Sequence, residues 1–235
     1  MNKRLIVALD APDLKAAKKL VDILYPTIEI FKIGSFLFTS CGPEVVKMVQ
    51  KAGGRVFLDL KFHDIPNTVA NASGAVAKLG VFMFNVHAFG GVNMMAAAVD
   101  SARKIAAIAT IPKPLVLAVT VLTSMDGPDL RQLGILRNTE EEVLHLAMLA
   151  KDAGCDGVIC SVEETAHIRK NLGSNFVIVA PGIRLAGADL SDQKRTATPH
   201  HAIEAGADYI VVGRPIIEAA DPLAAAKKIL EEMGM

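Results

Sequence analysis

Eight short apolar runs, each followed by a stretch with helical spacing, restrict the folds open to this chain more than any other feature. The runs cover 5–9, 28–33, 55–60, 81–86, 115–121, 157–160, 176–180 and 209–212. Most are continuously apolar rather than alternating, which is the pattern of parallel strands buried on both faces. Between them apolar residues recur at spacings of three and four. Leu14, Ala17, Leu20, Val21 and Leu24 make one stripe, and Val45, Val46, Met48 and Val49 begin another. Val143, Leu144, Ala147 and Leu149 mark a third, and Leu223, Ala226, Ile229 and Leu230 the last. Gly80, Gly154 and Gly206 each stand between a helical stretch and a strand, where a helix-ending glycine belongs. Eight β–α units with no linker or change of composition predict an α/β protein, a single-domain (β/α)8 TIM barrel over residues 1–235. A doubly wound open sheet is the alternative, disfavoured because no GxGxxG follows the first run.

A barrel of this kind carries its chemistry where strands end and loops begin. Asp10 ends the first run, Lys32 lies at the end of the second, and Asp59 and Lys61 end the third. Thr123 follows the fifth, Pro181-Gly182-Ile183-Arg184 the seventh and Gly213-Arg214 the eighth. The opposite ends read as apolar, or as starting after glycine.

The segment from Asp59 to Thr68, Asp-Leu-Lys-Phe-His-Asp-Ile-Pro-Asn-Thr, is the most informative about function. Alternation along a strand brings Asp59 and Lys61 out on the same side, and Asp64 follows at the start of a loop. Two carboxylates and an ammonium beside a buried strand are costly unless they pair or work. A purely structural ion-pair network is the competing reading. The loops after the seventh and eighth strands of such barrels commonly cradle a phosphate, and Arg184 and Arg214 can supply forked, charge-assisted hydrogen bonds to one. A glycine such as Gly213 lets backbone N–H groups approach the anion. The polar stretch between Arg184 and Pro199 is long for a βα loop, and is either an active-site lid or an idle surface loop.

Balanced charge, 25 basic and 25 acidic residues, excludes a general affinity for nucleic acid or acidic membranes. Asp10 cuts short the apolar run near the N-terminus, which is too brief for a signal core, and no run is long enough to span a membrane. Cys41, Cys155 and Cys160 are odd in number and lack CxxC spacing, as suits a reducing cytoplasm. The expectation is a soluble, cytoplasmic protein. No metal site is expected. His145 and His167 fall on separate helical segments, and His200 and His201, being adjacent on a helix, face different ways. His87 follows the fourth strand and suits a core or hydrogen-bonding role. Met94 and Met95 suit helix packing at an interface.

With these residues assembled, the chain closely resembles the orotidine 5′-monophosphate decarboxylase family. The matching blocks are Ala8-Leu9-Asp10, Phe31-Lys32-Ile33-Gly34, the Asp59 to Thr68 segment, Val121-Leu122-Thr123-Ser124-Met125, Pro181-Gly182-Ile183-Arg184, Asp192-Gln193-Lys194-Arg195 and Val212-Gly213-Arg214-Pro215. They span nearly the whole chain in the family's order. The length resembles the monofunctional form rather than a fusion with a phosphoribosyltransferase. The resemblance implies decarboxylation of a nucleotide substrate without metal or organic cofactor. It implies Lys61 as proton donor, held by Asp59 and Asp64, with Lys32 in the same charged array and on ribose. Asp10 would bind ribose hydroxyls, and Thr123 and Ser124 would lie near the base. Pro181 and Ile65 fall in the matching blocks and join the substrate-binding set. Arg184, Gln193, Gly213 and Arg214 would grip the phosphate, Gln193 from the lid. The resemblance also implies a homodimer with a shared active site, in which Asp64 and Thr68 serve the neighbouring subunit.

Two other readings remain. One is a magnesium-dependent sugar-phosphate decarboxylase or aldolase of the same superfamily, against which the Phe62 to Thr68 block and the Thr123-Ser124 pair argue. The other is a non-catalytic nucleotide-binding barrel, against which the intact Asp-Lys-Asp array argues.

Overall fold

The computed structural model describes residues 4–184 and 196–234. Its strands are β1 (Leu5–Ala8), β2 (Ile30–Gly34), β3 (Arg55–Phe62), β4 (Met83–His87), β5 (Leu115–Val119), β6 (Gly157–Ile159), β7 (Val177–Ala180) and β8 (Tyr209–Val212). Each pairs in parallel with the next, and β1 also pairs with β8 through Ile6 and Val211, so the sheet closes. Closure eliminates the open-sheet alternative and confirms the (β/α)8 barrel.

The two faces of each strand explain the continuous apolar runs. Ile6, Ala8, Ile30, Phe57, Met83, Leu117, Val119, Ile159, Val179 and Val211 form a compact cluster inside the barrel. Their sequence neighbours, among them Val7, Phe31, Leu58, Phe84, Ala118, Val158 and Ile178, pack outward against the helices in a second, larger cluster. Alternation is present, but both faces are dry.

The helical stripes occupy the expected places, except that Leu14 at the start of the first is exposed. Ala17, Val21 and Leu24 are buried on helix Leu14–Leu24, whose N-cap Asp13 accepts from Ala16 N–H at 2.8 Å. Val45, Val46 and Val49 are buried on Glu44–Lys51. On Thr139–Asp152, opened by an Asn138–Glu141 capping box, Val143, Leu146 and Ala147 face inward. On Pro222–Glu232 the buried pair is Ala226 and Ile229. Gly80, Gly154 and Gly206 all have positive φ (68°, 80° and 99°), the backbone that lets each helix stop and turn into the next strand.

Several sequence readings change in detail, strand ends among them. β3 runs two residues further than expected, through Lys61 to Phe62, and its register against β4 shifts between Leu58 and Phe62. Met94 and Met95 are buried within the subunit rather than presented at a surface. The N-terminal ends of the strands are also less apolar than they read. Asp156 accepts from Val116 N–H and Lys113, and Asp208 accepts from Ile178 N–H and Arg169, each carboxylate fastening neighbouring strands. These groups are satisfied within the scaffold, as expected of the face of a barrel that carries stability rather than chemistry.

Candidate active site

The C-terminal ends of the strands surround a cavity of about 330 Å³, at the small end of the usual range for ligand sites. Its floor is apolar, made by Ala8, Phe57, Val119, Ile159 and Val211 from inside the barrel. Its walls carry Asp10, Lys32, Asp59, Lys61, Thr123, Ser124, Pro181, Arg184, Gly213 and Arg214. Ten residues singled out in the sequence therefore converge on one cavity, although they come from six different strand ends.

Asp59 is the electrostatic centre. It is 8% exposed, and its two oxygens face different ammonium groups. Lys61 Nζ donates to Oδ1 at 2.7 Å, and Lys32 Nζ lies 3.2 Å from Oδ2. Lys32 Nζ also lies 3.8 Å from Asp10 Oδ1, so the array runs Asp10, Lys32, Asp59, Lys61 across β1, β2 and β3. Burial pushes the Asp59 carboxyl up, but Lys32 and Lys61, with hydrogen bonds from Lys61 and Asn85, outweigh it and hold Asp59 below the usual carboxylate range. Asp59 is accordingly ionised at neutral pH.

Lys61 has φ 50°, in the left-handed region that a lysine adopts only at a cost of about 1–2 kcal/mol. Its backbone N–H donates to Asn85 Oδ1 at 2.8 Å, and Asn85 Nδ2 donates to Asp59 Oδ1 at 2.6 Å. Asn85 is the functional-site residue that sequence reading missed. Its signal was present: a lone amide in the apolar run Phe82-Met83-Phe84-Asn85-Val86, two residues from inward-facing Met83 and thus on the same face.

On the far side of the cavity, Arg184 and Arg214 lie past the ends of β7 and β8. An Ile183–Ala197 bridge, with Arg184 N–H donating to Ala197 O at 2.9 Å, secures the backbone on which Arg184 sits. Gly213 packs close to β1. A Cβ there would stand 3.2 Å from Asp10 Oδ2 and 3.4 Å from Ala8 Cβ, so a side chain would crowd the Asp10 carboxylate. Gln193 lies outside the described residues.

Asp64, Ile65 and Thr68 do not join the cavity of their own chain. All three are exposed, Ile65 by 66%, and Asp64 Oδ1 accepts from Ile65 N–H at 2.6 Å. Asp64 and Ile65 instead line a separate surface hollow with His63, Pro66, Phe89 and Gly90. His87 stacks between His63 and Phe89, with centroids 5.5 and 5.4 Å away. Its Nδ1 is buried without a hydrogen-bond partner among the described residues, so stacking, not hydrogen bonding, holds the ring. Burial, then the neighbouring His63 and Lys61, push its pKa down to about 4. Among the described residues no three His, Cys, Asp or Glu side chains converge as a metal-holding group.

Comparison with known proteins agrees with this geometry. A protein from Moorella thermoacetica named orotidine 5′-phosphate decarboxylase is 53% identical over 99% of this chain and 92% of its own length. One of the same name from Syntrophotalea carbinolica is 51% identical over 99% and 96%. The crystal structure of orotidine 5′-phosphate decarboxylase from Lactobacillus acidophilus superposes with a TM-score of 0.86 at 41% identity, covering 100% of both chains. The model of the orotidine 5′-phosphate decarboxylase / HUMPS family matches residues 3–229, and the chain belongs to that family.

Proposed function

We propose that this chain converts orotidine 5′-monophosphate to uridine 5′-monophosphate and carbon dioxide in pyrimidine biosynthesis, without metal or organic cofactor. The observation that carries the reading is Asp59 held between Lys32 and Lys61 at one side of a cavity whose other side bears Arg184 and Arg214. The relatives that are about half identical over nearly the whole chain carry the name of that activity.

Decarboxylation breaks the bond between carbon 6 and the carboxylate, and the electron pair stays on a ring carbon that cannot delocalise it well. An ammonium fixed beside that carbon stabilises the developing charge and then gives up a proton to it. Two unit charges ~4 Å apart interact by roughly 4 kcal/mol at an effective dielectric of 20. Lys61 is that ammonium, and the proton it transfers is regained from solvent after carbon dioxide leaves. Asp59 fixes the position of Lys61 and Lys32, and Asp10 and Lys32 take ribose hydroxyls. Thr123, Ser124 and Pro181 border the base, while Arg184, Arg214 and Gly213 hold the phosphate with Gln193. Because the phosphate is distant from the reacting carbon, its binding energy serves to orient the base and exclude water.

The protein works as a cytoplasmic homodimer with shared sites. Supporting this, Asp64, Ile65 and Thr68 are exposed and do not line their own cavity, and a two-fold partner would present the same three groups in return. The three free cysteines suit a reducing compartment.

The magnesium-dependent sugar-phosphate reading is less well supported, because both oxygens of Asp59 already face ammonium groups where a cation would have to bind. The test is to incubate the protein with orotidine 5′-monophosphate and a chelator while following loss of substrate absorbance and release of carbon dioxide. Undiminished turnover is expected. Turnover lost to chelator and restored by magnesium would favour the rival enzyme, and tight binding without conversion would favour a binding barrel.

A further inference from the structure

We infer that Asn85 is a positioning residue, whose buried carboxamide fixes the backbone of Lys61 and the carboxylate of Asp59 together and thereby aims the Lys61 ammonium. This rests on the reading of Lys61 as proton donor and deepens it.

Asn85 is 0% exposed in the middle of β4, inside the barrel. Where β3 and β4 shift register, its Oδ1 accepts the Lys61 N–H at 2.8 Å. Its Nδ2 donates to Asp59 Oδ1 at 2.6 Å, the same oxygen that accepts Lys61 Nζ at 2.7 Å. A closed circuit results. The backbone of Lys61 is tied to Asn85, Asn85 to Asp59, and Asp59 to the far end of the same lysine.

The orientation of the amide is forced, because a backbone N–H can only donate and an ionised carboxylate can only accept. The site therefore demands one acceptor and one donor on a short planar group. Leucine has neither. An aspartate has the acceptor, and has the donor only while protonated. Without the acceptor, the Lys61 N–H loses the partner that offsets its left-handed φ of 50°, and the strain of that backbone is no longer compensated at the lysine's own amide.

The charged groups around Asn85 are Asp59 and Lys61 from β3 and Lys32 from β2, and the titratable His87 stands two residues on along its own strand. Its partner on β5 is the apolar Leu117. A second carboxylate introduced here would face Asp59 across hydrogen-bonding distance, so the two would share one proton over a range of pH.

The experiment compares N85L and N85D with the parent, measuring kcat and KM for orotidine 5′-monophosphate across pH and the Kd of uridine 5′-monophosphate, with K61A alongside. N85L should lower kcat by about 10- to 100-fold, as expected for losing a hydrogen bond to a charged group, while product Kd stays within about threefold. N85D should turn over best at low pH and lose activity as the shared proton leaves, giving a basic limb at lower pH than the one the parent shows when Lys61 itself deprotonates. A kcat for N85L within about threefold of the parent's would overturn the inference. So would N85D slowed by the same factor at every pH, since a residue that merely fills space has no reason to titrate. If N85L does not fold, the N85D profile alone decides: a basic limb at lower pH than the parent's supports the inference, and its absence ends it. Undiminished turnover by K61A would overturn the lysine mechanism, and this inference with it. Loss of turnover in K61A beside unaffected Asn85 variants would remove this inference alone.

Discussion

Lys61 closes a 2.7 Å ion pair onto Asp59, two residues earlier on the same strand, from a backbone turned to φ 50°. Lysine does not adopt that backbone freely, so the strain marks a position where the placement of the ammonium matters more than local comfort. K61A should lower kcat about a thousandfold or more, the equivalent of roughly 4 kcal/mol of transition-state charge stabilisation. Affinity for uridine 5′-monophosphate should stay within about tenfold, because Lys61 acts mainly on charge that appears during the reaction. Steady-state kinetics and product titration decide it, and near-normal turnover would end the proposed mechanism.

Arg214 stands across the cavity from this array, and its proposed partner is charge present in substrate and product alike. R214A should weaken binding by about 10- to 100-fold, the range for a charge-assisted hydrogen bond, with a lesser change in kcat. The loss should be much smaller for orotidine lacking its phosphate. Equal losses for both compounds would show that Arg214 does not read the phosphate.

Asp64 lies outside its own cavity, which makes subunit mixing informative. In a two-fold dimer with shared sites, a K61A subunit still donates Asp64 and a D64A subunit still carries Lys61. Each mixed dimer then holds one intact site and one doubly defective site. Random exchange of equal amounts makes about half the dimers mixed, restoring roughly a quarter of wild-type sites. Co-refolded K61A and D64A proteins should therefore be far more active than either parent. If mixed dimers form and activity stays at the parental average, Asp64 serves its own subunit.

His87 carries a stability signature. Its pKa is about 4 in the fold against an ordinary 6.5, so below about 6.5 the unfolded chain binds the proton more readily. Stability contributed by the neutral ring is complete above pH 6.5, declines as pH falls, and is lost by about pH 4. Because phenylalanine can stack on His63 and Phe89 and cannot titrate, H87F should show a shallower fall in Tm than the parent between pH 6.5 and 4. Parallel curves would remove His87 from the acid response.

Much of this molecule is legible along the chain because its cues are local. Helical spacing with glycines at positive φ defines the units, and uninterrupted apolar runs announce strands dry on both faces. Alternation suffices to place Asp59 and Lys61 on one side, and the barrel rule to place Arg184 and Arg214 at the same end. Register and enclosure are different, since they depend on strands far apart in sequence. Pairing of β1 with β8 brings Gly213 against Asp10 and Ala8, and pairing of β2 with β3 brings Lys32 onto Asp59. Asn85 passes unmarked in an apolar run, because only the register shift of β3 brings the Lys61 N–H beside it as a donor. Likewise, Asp64 follows Lys61 by three residues yet does not line the cavity, because the strand has ended at Phe62 and the chain leads into helix Pro66–Lys78. Sequence determined the repeating units and which residues carry charge at their ends. Tertiary structure alone decided which charges meet, because burial makes an unpaired ion costly and only the closed barrel brings each one its partner.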